Sequence, residues 1–523
     1  MADRKLKKRI VWIITVSVVL ILLLLTILQL RAKSYIANYL SQRIPDHMHL
    51  TYDQIQVNLI RGSIRLTEVG LDILEKDANF RKAGMSLEAI DLKGIGFYQA
   101  IFGNTISIRK IRLLKPITEY YQGEHQVKNN GIAATDSPME ITLSLAKLSI
   151  EDGEFKIFGK GGDSIVFSVE NLNLSLENLK LDKETIEREI PFSYGDYNLS
   201  TGLVYADLGP YEAVNLGGIN IKNQEMELSN LYLKSKYDKI TLSKKLDKEH
   251  DYIDLKIPEL RMVNMDFGFN KERFFLNSSS LDLQKPKMEI YRDKLVQDDY
   301  EQKKLYSRML RELPIDLNVS EVKINNGYIA YSELVKRGTV PGEIVFAVLE
   351  ATIGNVSNTY KNGEKTQIKV MAQLMGEAPI ELTWNFDASK ENDAFYVSGV
   401  VTDFKSESIN QFLRSNLRTE AEGDVQELYF TVSGDAISSS GDMKMNYEDF
   451  RFTVLKKDRT GVNKLLTFVG NIFTNDGSKT DKQGYRYGEI YAERDNTKSF
   501  FNYLWLNVMD GIVNTLTGDG KKE

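Results

Sequence analysis

Four histidines are the only imidazoles in this chain: His47, His49, His125 and His250. His47 and His49 stand two apart, the spacing that puts two rings on one face of a strand and could chelate a metal. No clustered carboxylate or further histidine accompanies them, so no metal centre is expected. Cysteine is absent, which removes disulfides, thiolate ligands, thiol nucleophiles and lipoprotein acylation together. Gly159-Lys160-Gly161-Gly162-Asp163-Ser164 is glycine-rich, but it lacks the Gly-x4-Gly-Lys-Ser/Thr order that cradles phosphate, and it reads as a hairpin turn. The serines form no Gly-x-Ser-x-Gly elbow. The acidic pairs Asp298-Asp299 and Glu420/Glu422 lie among other charges and read as solvated, and Gly518-Asp519-Gly520-Lys521 reads as a tail. The carboxylate pair of a glycosidase leaves no local pattern, and nothing here supports one. No catalytic, cofactor-binding or metal-ligating residue is assigned, and the chain is not expected to be an enzyme or to need a cofactor.

What does recur is apolar. Val57, Ile64, Leu66, Val69 and Leu71 meet Ile219, Met226, Leu228, Leu231 and Leu233 at an offset of 162. Ile106, Ile111, Leu113, Lys115, Pro116 and Glu119 meet Leu276, Leu281, Leu283, Lys285, Pro286 and Glu289 at 170. Ile141, Leu143, Leu145, Leu148, Ile150, Gly153, Phe155 and Ile157 meet Ile315, Leu317, Val319, Val322, Ile324, Gly327, Ile329 and Tyr331 at 174. Ile165-Val166-Phe167 and Val169 meet Ile344-Val345-Phe346 and Val348 at 179. Four collinear blocks with slowly growing offsets are the trace of a duplicated unit with small loop insertions. Active sites are seldom duplicated wholesale, whereas extended surfaces are.

The elements that carry these residues are mostly strands. Ile141-Thr-Leu-Ser-Leu, Leu172-Asn-Leu-Ser-Leu, Ile315-Asp-Leu-Asn-Val and Met443-Lys-Met-Asn-Tyr alternate apolar and polar, so each shows one oily and one wet face. Turns are marked at Gly153, Gly159–Gly162, Asn325-Asn326-Gly327 and Asn362-Gly363, and antiparallel pairing with one buried face is the expected arrangement. Four stretches carry helical spacing instead. Arg31–Ile44 has Tyr35, Ile36, Tyr39, Leu40 and Ile44 on one stripe. The charged stretch Leu295–Leu313 keeps Leu295, Tyr306, Met309, Leu310 and Leu313 at helical intervals. Ser408–Leu417 groups Ile409, Phe412, Leu413 and Leu417. Thr497–Leu516 is the most apolar, with Phe501, Leu504, Trp505, Val508, Met509, Ile512 and Leu516 in register and Asp495, Asn496 and Thr497 as capping candidates. This last helix is expected either to pack on the end of a sheet or to touch a membrane.

Composition bounds the class. Of 523 residues, 42% are hydrophobic and 27% charged, which makes the chain globular rather than disordered or multi-spanning. A net charge of −6 without a long basic face argues against nucleic acid as a partner. The amino end is different. Arg4, Lys5, Lys7, Lys8 and Arg9 precede Ile10–Leu28, whose only polar members are Thr15, Ser17 and Thr26, about the length of a membrane-crossing helix. No small-x-small cleavage site follows, so 10–28 reads as an uncleaved signal anchor. Residues 1–9 then form a cytoplasmic basic tail, and the bulk of the chain is exported.

Two readings of the alternating apolar residues stay open on periodicity alone. One is a sandwich core in which two sheets close on each other. The other is an open sheet whose oily face is covered by a ligand, because a bare apolar face of more than a few hundred Å² marks binding or membrane contact.

The pattern of the chain as a whole resembles the AsmA-like superfamily of membrane-anchored envelope proteins, to which TamB belongs, in its Bacteroidetes-type form. The resemblance is carried by the anchor running directly into a short helix. It continues in Ile55-x-Val57-x4-Gly62-x-Ile64-x-Leu66-x2-Val69-x-Leu71 and Ile106-x-Ile108-x2-Ile111-x-Leu113-x2-Pro116. Near the carboxyl end it rests on Val397-Ser-Gly399-Val-Val-Thr-Asp403-Phe404, Leu428-Tyr-Phe430, Tyr447-Glu-Asp449-Phe450-Arg-Phe452 and the Asp495–Gly511 stretch. The resemblance implies a mainly β fold: a long curved antiparallel sheet forming a half-pipe groove after a transmembrane helix, with a few amphipathic helices. On that pattern 31–210 and 211–360 are the repeated β units and 361–523 a carboxyl-terminal module. It further implies an inner-membrane, single-pass, periplasmic protein of outer-membrane biogenesis that binds or conducts phospholipids. Leu143, Leu145, Ile150, Leu317, Val319 and Ile324 would then line the groove. Phe501, Leu504, Trp505, Val508 and Ile512 would mark the membrane-touching or end-capping helix. The alternatives are a non-enzymatic assembly factor that meets outer-membrane proteins through a sheet edge, and a surface enzyme or adhesin built of tandem sandwiches.

Overall fold

Apolar–polar alternation becomes strand along most of the chain. The computed structural model describes residues 44–75, 80–96, 105–123, 142–186, 188–359, 363–454 and 480–518, with Arg31 and Ser34. The anchor 10–28, most of the 31–44 helix, His125 and the 519–521 tail lie outside these residues. Among the described residues no helix is long and apolar enough to cross a membrane. Two units divide the chain: Met1–Asp207 with Gly218–Asn223, and Leu208–Gly217 with Gln224–Glu523.

In the first unit, β1 (Met48–Thr51) and β2 (Gln54–Asn58) both pair with β3 (Ser63–Leu74), which pairs with β4 (Arg81–Lys93). β4 is antiparallel to β5 (Thr105–Leu114) and to β6 (Ile117–Tyr121), two arms of one path that bends at Lys115, where φ is +47°. β7 (Thr142–Phe158) runs parallel to both arms. β8 (Ile165–Leu181) returns antiparallel through a turn in which Gly159 N–H donates to Ser164 C=O at 2.8 Å. β9 (Tyr197–Ser200) and β10 (Val204–Asp207) pair with β8.

β11 (Glu212–Leu216) belongs to the second unit, and β12 (Gly218–Lys222) returns to the first to pair with β9. The second unit repeats the arrangement. β13 (Glu225–Ser235) lies between β11 and β14 (Tyr252–Val263). After β15 (Asp266–Asn270), β16 (Arg273–Gln284) and β17 (Lys287–Asp293) pair antiparallel with β14. β18 (Asp316–Leu334) runs parallel to both, and β19 (Gly342–Ser357) pairs antiparallel with it. An antiparallel series follows: β20 (Thr366–Leu374), β21 (Ala378–Phe386), β22 (Phe395–Lys405), β23 (Thr419–Gly434), β24 (Ser438–Val454) and β25 (Arg486–Glu493).

The correspondence between β3–β8 and β13–β19 extends to single residues. Ile64 opposes Leu92 as Met226 opposes Met262, and Leu113 opposes Ile150 as Leu283 opposes Ile324. Lys115 N–H donates to Glu151 C=O, and Lys285 N–H to Asn325 C=O. Left-handed residues recur at the bulges: Glu68 with Asn230, Lys115 with Lys285, Asp152 with Asn326, Asn171 with Val348, and Asn178 with Asn355.

Several expectations are corrected. The sheet is mixed, not antiparallel throughout, because β7 and β18 enter parallel to their partners. A parallel neighbour needs a crossover of a dozen residues or more. In the second unit that crossover is 294–315, so the charged stretch is a structural connection. Only Tyr306–Arg311 of it is helical. Its charges form tertiary ion pairs, Asp298 with Lys498, Asp299 with Lys248 and Lys294 with Glu249, and Asp299 also pairs locally with Lys303. The offset of the fourth repeat block is 177 rather than 179. Ile157 opposes Phe167, and its counterpart Tyr331 opposes Ile344. A two-residue slip leaves every side chain on its original face, so alternation cannot detect it. Ser408–Leu417 is no uniform α-helix: Ser406–Ile409 is 3₁₀, Asn410–Phe412 α and Leu413–Leu417 π. The last helix starts at Phe500, and Ser499 caps it by accepting from Asn502 N–H.

Candidate functional site

Paired residues on neighbouring strands point to the same face, so register decides what forms a continuous surface. In the first unit one row runs Ile55–Leu66–Ile90–Leu113–Ile150–Leu174–Leu199–Ile221, apolar on all eight strands that it crosses. The neighbouring row is Val57–Ile64–Leu92–Ile111–Leu148–Leu176–Tyr197. At about 4.8 Å per strand the first row is about 34 Å long. Ile90, Leu113, Ile150, Leu174 and Leu199 are half-buried, whereas Ile55 and Leu66 are buried.

The second unit carries its own row: Met226–Met262–Leu281–Val322–Ile353–Ile368–Trp384–Val397–Val432–Gly441–Ile490. Eleven strands give it a length of about 48 Å. Leu281, Val322, Ile353, Ile368 and Trp384 are half-buried, but Val397, Val432 and Ile490 are sealed. The change has a visible cause. Helices close over the last strands, where Ile409, Phe412, Leu413, Phe500, Tyr503 and Leu516 share one core with Val397, Phe430, Met443 and Ile490.

The expected groove residues divide on these surfaces. Leu145 packs with Ile108 and Leu179 and is buried, with Leu143 and Leu148 half-buried beside it. Val319 is buried, and Leu317 is half-buried. Ile324 packs with Ile329, Leu349 and Ala351. Ile150 belongs to the middle of its row, and Ile324 to the row beside that of Val322, Leu228–Leu260–Leu283–Ile324–Ala351–Val370–Leu382. The sequence reading missed Ile353, Ile368, Trp384 and Val432. Their signal was available in the alternation of Ile368-Val370-Ala372 and Ile380-Leu382-Trp384.

The carboxyl-terminal helix buries a stripe that only partly coincides with its most apolar one: Phe500, Tyr503, Asn507, Gly511, Thr515 and Leu516 are buried. Asn507 Oδ1 accepts from Ser439 Oγ at 2.8 Å, and Gly488 lies so close to Thr515 that a Cβ there would meet its backbone nitrogen at 2.4 Å. Leu504, Trp505, Val508 and Ile512 are half-buried against the same core, while Phe501 is 61% exposed. The helix also closes the free edge of β25. Tyr491 N–H donates to Asp510 Oδ2 at 2.8 Å, and Asn514 Nδ2 donates to Glu489 C=O at 2.9 Å.

A charged margin borders the apolar face of the second unit. Ile290, Tyr331 and Ile344 oppose one another, and two residues on, Arg292 opposes Glu333. Arg292 makes two 2.7 Å bonds to Asp251. Burial alone would lower its pKa, but the bonds and charge of Asp251 outweigh that and raise it. Burial raises the Tyr331 phenol, which donates to Glu333, and Asn416 Nδ2 donates to the same carboxylate at 2.7 Å.

The other residues with chemical potential are spent locally. His250 Nε2 lies 2.6 Å from Glu212 and against Tyr211, and His49 is on β1. Glu420 pairs with Arg414 and Glu422 with Arg451. Among the described residues no group of three His, Asp or Glu is placed to hold a metal ion. No protein-family model matches the chain, and no curated protein matches it.

Proposed function

We propose that this chain is a membrane-anchored, exported lipid-binding protein. In this reading it holds phospholipid acyl chains along its apolar rows and passes them between membranes. The finer fold that goes with this reading is a duplicated half-pipe, as the AsmA-like resemblance implies. The observation that carries it is the rows themselves: apolar on strand after strand, with Ile90, Leu113, Ile150, Leu174 and Leu199 in one and Leu281, Val322 and Ile353 in the other only half-buried. A closed sandwich would seal such residues throughout, as the last strands do. An acyl chain lying across strands would trade water for contact at about 25 cal/mol per Å². Margins such as Asp251–Arg292 and Glu333 supply polar partners for head groups. No covalent step is required. The reading that depends on a sheet edge is weakened at β25, where Asp510 takes the Tyr491 N–H and Asn514 the Glu489 C=O.

The test is site-specific photocross-linking of the full-length chain in cells fed radiolabelled phosphate. A photoreactive residue at Ile150 or Val322 should capture phospholipid, while one at the wet-face positions Ser144 or Lys369 should not. Absence of labelled adduct at both row positions, in chains present at normal levels, would sink the proposal.

A further inference from the structure

The two strand sets agree in register, bulge position and apolar residues. Ile64, Leu66, Leu87, Ile90 and Leu92 answer to Met226, Leu228, Ile257, Leu260 and Met262. Nothing hydrophobic therefore distinguishes a strand of one set from its counterpart in the other. The wet face does. In the first set Arg65 opposes Asp91, which opposes Arg112, which opposes Ser149. In the second set the same places hold Glu227, Arg261, Asp282 and Lys323. Every charge of the first ladder is reversed in the second.

The first ladder is closed by direct ion pairs. Asp91, only 5% exposed, lies 3.4 Å from Arg65 and 3.0 Å from Arg112. In the second ladder the charges act through space: Arg261 bonds Glu225 at 2.7 Å and Lys323 bonds Glu321 at 2.7 Å, while Glu227 and Asp282 add a weaker coulombic pull on Arg261 and Lys323 respectively.

We propose that this sign reversal is a pairing code that keeps β4 and β14 with their own neighbours. Homologous strands in one chain are prone to exchange, the characteristic misassembly of repeated folds. Were β4 to enter between β13 and β16, Asp91 would face Glu227 and Asp282. Were β14 to enter between β3 and β5, Arg261 would face Arg65 and Arg112. Each exchange turns two attractive rungs into two repulsive ones, and like charges directly opposite destabilise a sheet. The apolar rows would survive the exchange intact, so selectivity falls to the charges, acting against the wrong partner as much as for the right one.

Because the chain has no cysteine, an introduced pair reports cleanly. Lys93 opposes Lys110, whose counterpart is Ser280. Lys93→Cys with Ser280→Cys can therefore bond only where β4 lies beside β16. The full-length chain is made in cells, its membranes are oxidised, and the cross-linked fraction is measured. In the parent background that fraction should be small. Giving the second set the first set's residues (Glu225→Ser, Glu227→Arg, Arg261→Asp, Asp282→Arg and Lys323→Ser) should raise it roughly tenfold, the scale of a few cross-strand charge pairs. Adding the reciprocal changes (Ser63→Glu, Arg65→Glu, Asp91→Arg, Arg112→Asp and Ser149→Lys) restores opposite codes and should return the fraction to the parent value. An unchanged fraction in the first variant overturns the proposal. So does a fraction, or a loss of folded chain, that the reciprocal changes fail to repair, because the fault would then lie in the substitutions and not in the matching of signs.

Discussion

Val348 is a β-branched residue at φ +49° and 50% exposed, in the place where the first strand set has Asn171 at the same φ. Left-handed backbone costs an L-residue roughly 1–2 kcal/mol, and asparagine tolerates it best after glycine. Val348→Asn should therefore stabilise the protein by about 1 kcal/mol, read as a higher denaturant midpoint at unchanged slope. Asn410 works in the opposite sense. Its Nδ2 donates to Ala421 C=O and its Oδ1 accepts from Ala421 N–H, both at 2.8 Å, so the side chain takes the place of a neighbouring strand. Asn410→Ala leaves two buried backbone groups without partners and should cost about 2–4 kcal/mol by the same measurement. At this scale the sequence was informative about faces and silent about strain. Leu145 and Val319 could be assigned to the oily side from alternation. The left-handed residues, and the two-residue slip after Phe158, left alternation unchanged and so left no trace in it.

The crossover 294–315 shows how an element can be misread from spacing that is present. Tyr306, Met309 and Leu313 do recur at helical intervals, but the residues before them are irregular, and Asp298 and Asp299 pair there with Lys498 and Lys248 from loops remote in the sequence, which no local pattern reports. Those pairs set a pH window. Hydrogen bonding from Lys303, then the backbone of Glu301 and Lys248, hold Asp299 at about 2. Lys304 and Arg308 hold Glu312 at about 2. Carboxyls depressed on folding stabilise above their ordinary values, and that contribution is lost as pH falls through the folded value. Amide exchange in 295–313 should be steady, after correction for intrinsic rates, above pH 5 and rise between about pH 4 and 2. Asp299→Asn should remove part of that rise. The carboxyl-terminal helix was foreseen as an element, but its most buried contacts include Asn507, Gly511 and Thr515 beside the apolar residues, which the apolar spacing does not report. Gly488→Val would drive a side chain into the Thr515 backbone. It should lift the helix and cost about 1–3 kcal/mol, with increased binding of a hydrophobic dye.

Across the whole molecule, the repeat was legible as collinear blocks and the mainly β class as alternation. The parallel entries of β7 and β18 were not, because a crossover looks like any loop until its strands are paired. If lipid lies along the rows, a charge in the middle of either row should oppose it within its own unit. Leu113→Asp and Val322→Asp should each lower complementation of a deletion strain at normal protein level, and wild-type complementation by both variants would count against the lipid reading. The closed edge of β25 has a consequence of another kind. A sheet that grows by adding like strands resembles a polymer, whose end must be imposed from outside the repeating chemistry. Asp510 and Asn514 act as a chain stopper, occupying the positions where the next monomer would bond. Two side chains on the last helix thus help to end the sheet, and a protein cut short of them would expose more of an edge on which other chains could pair.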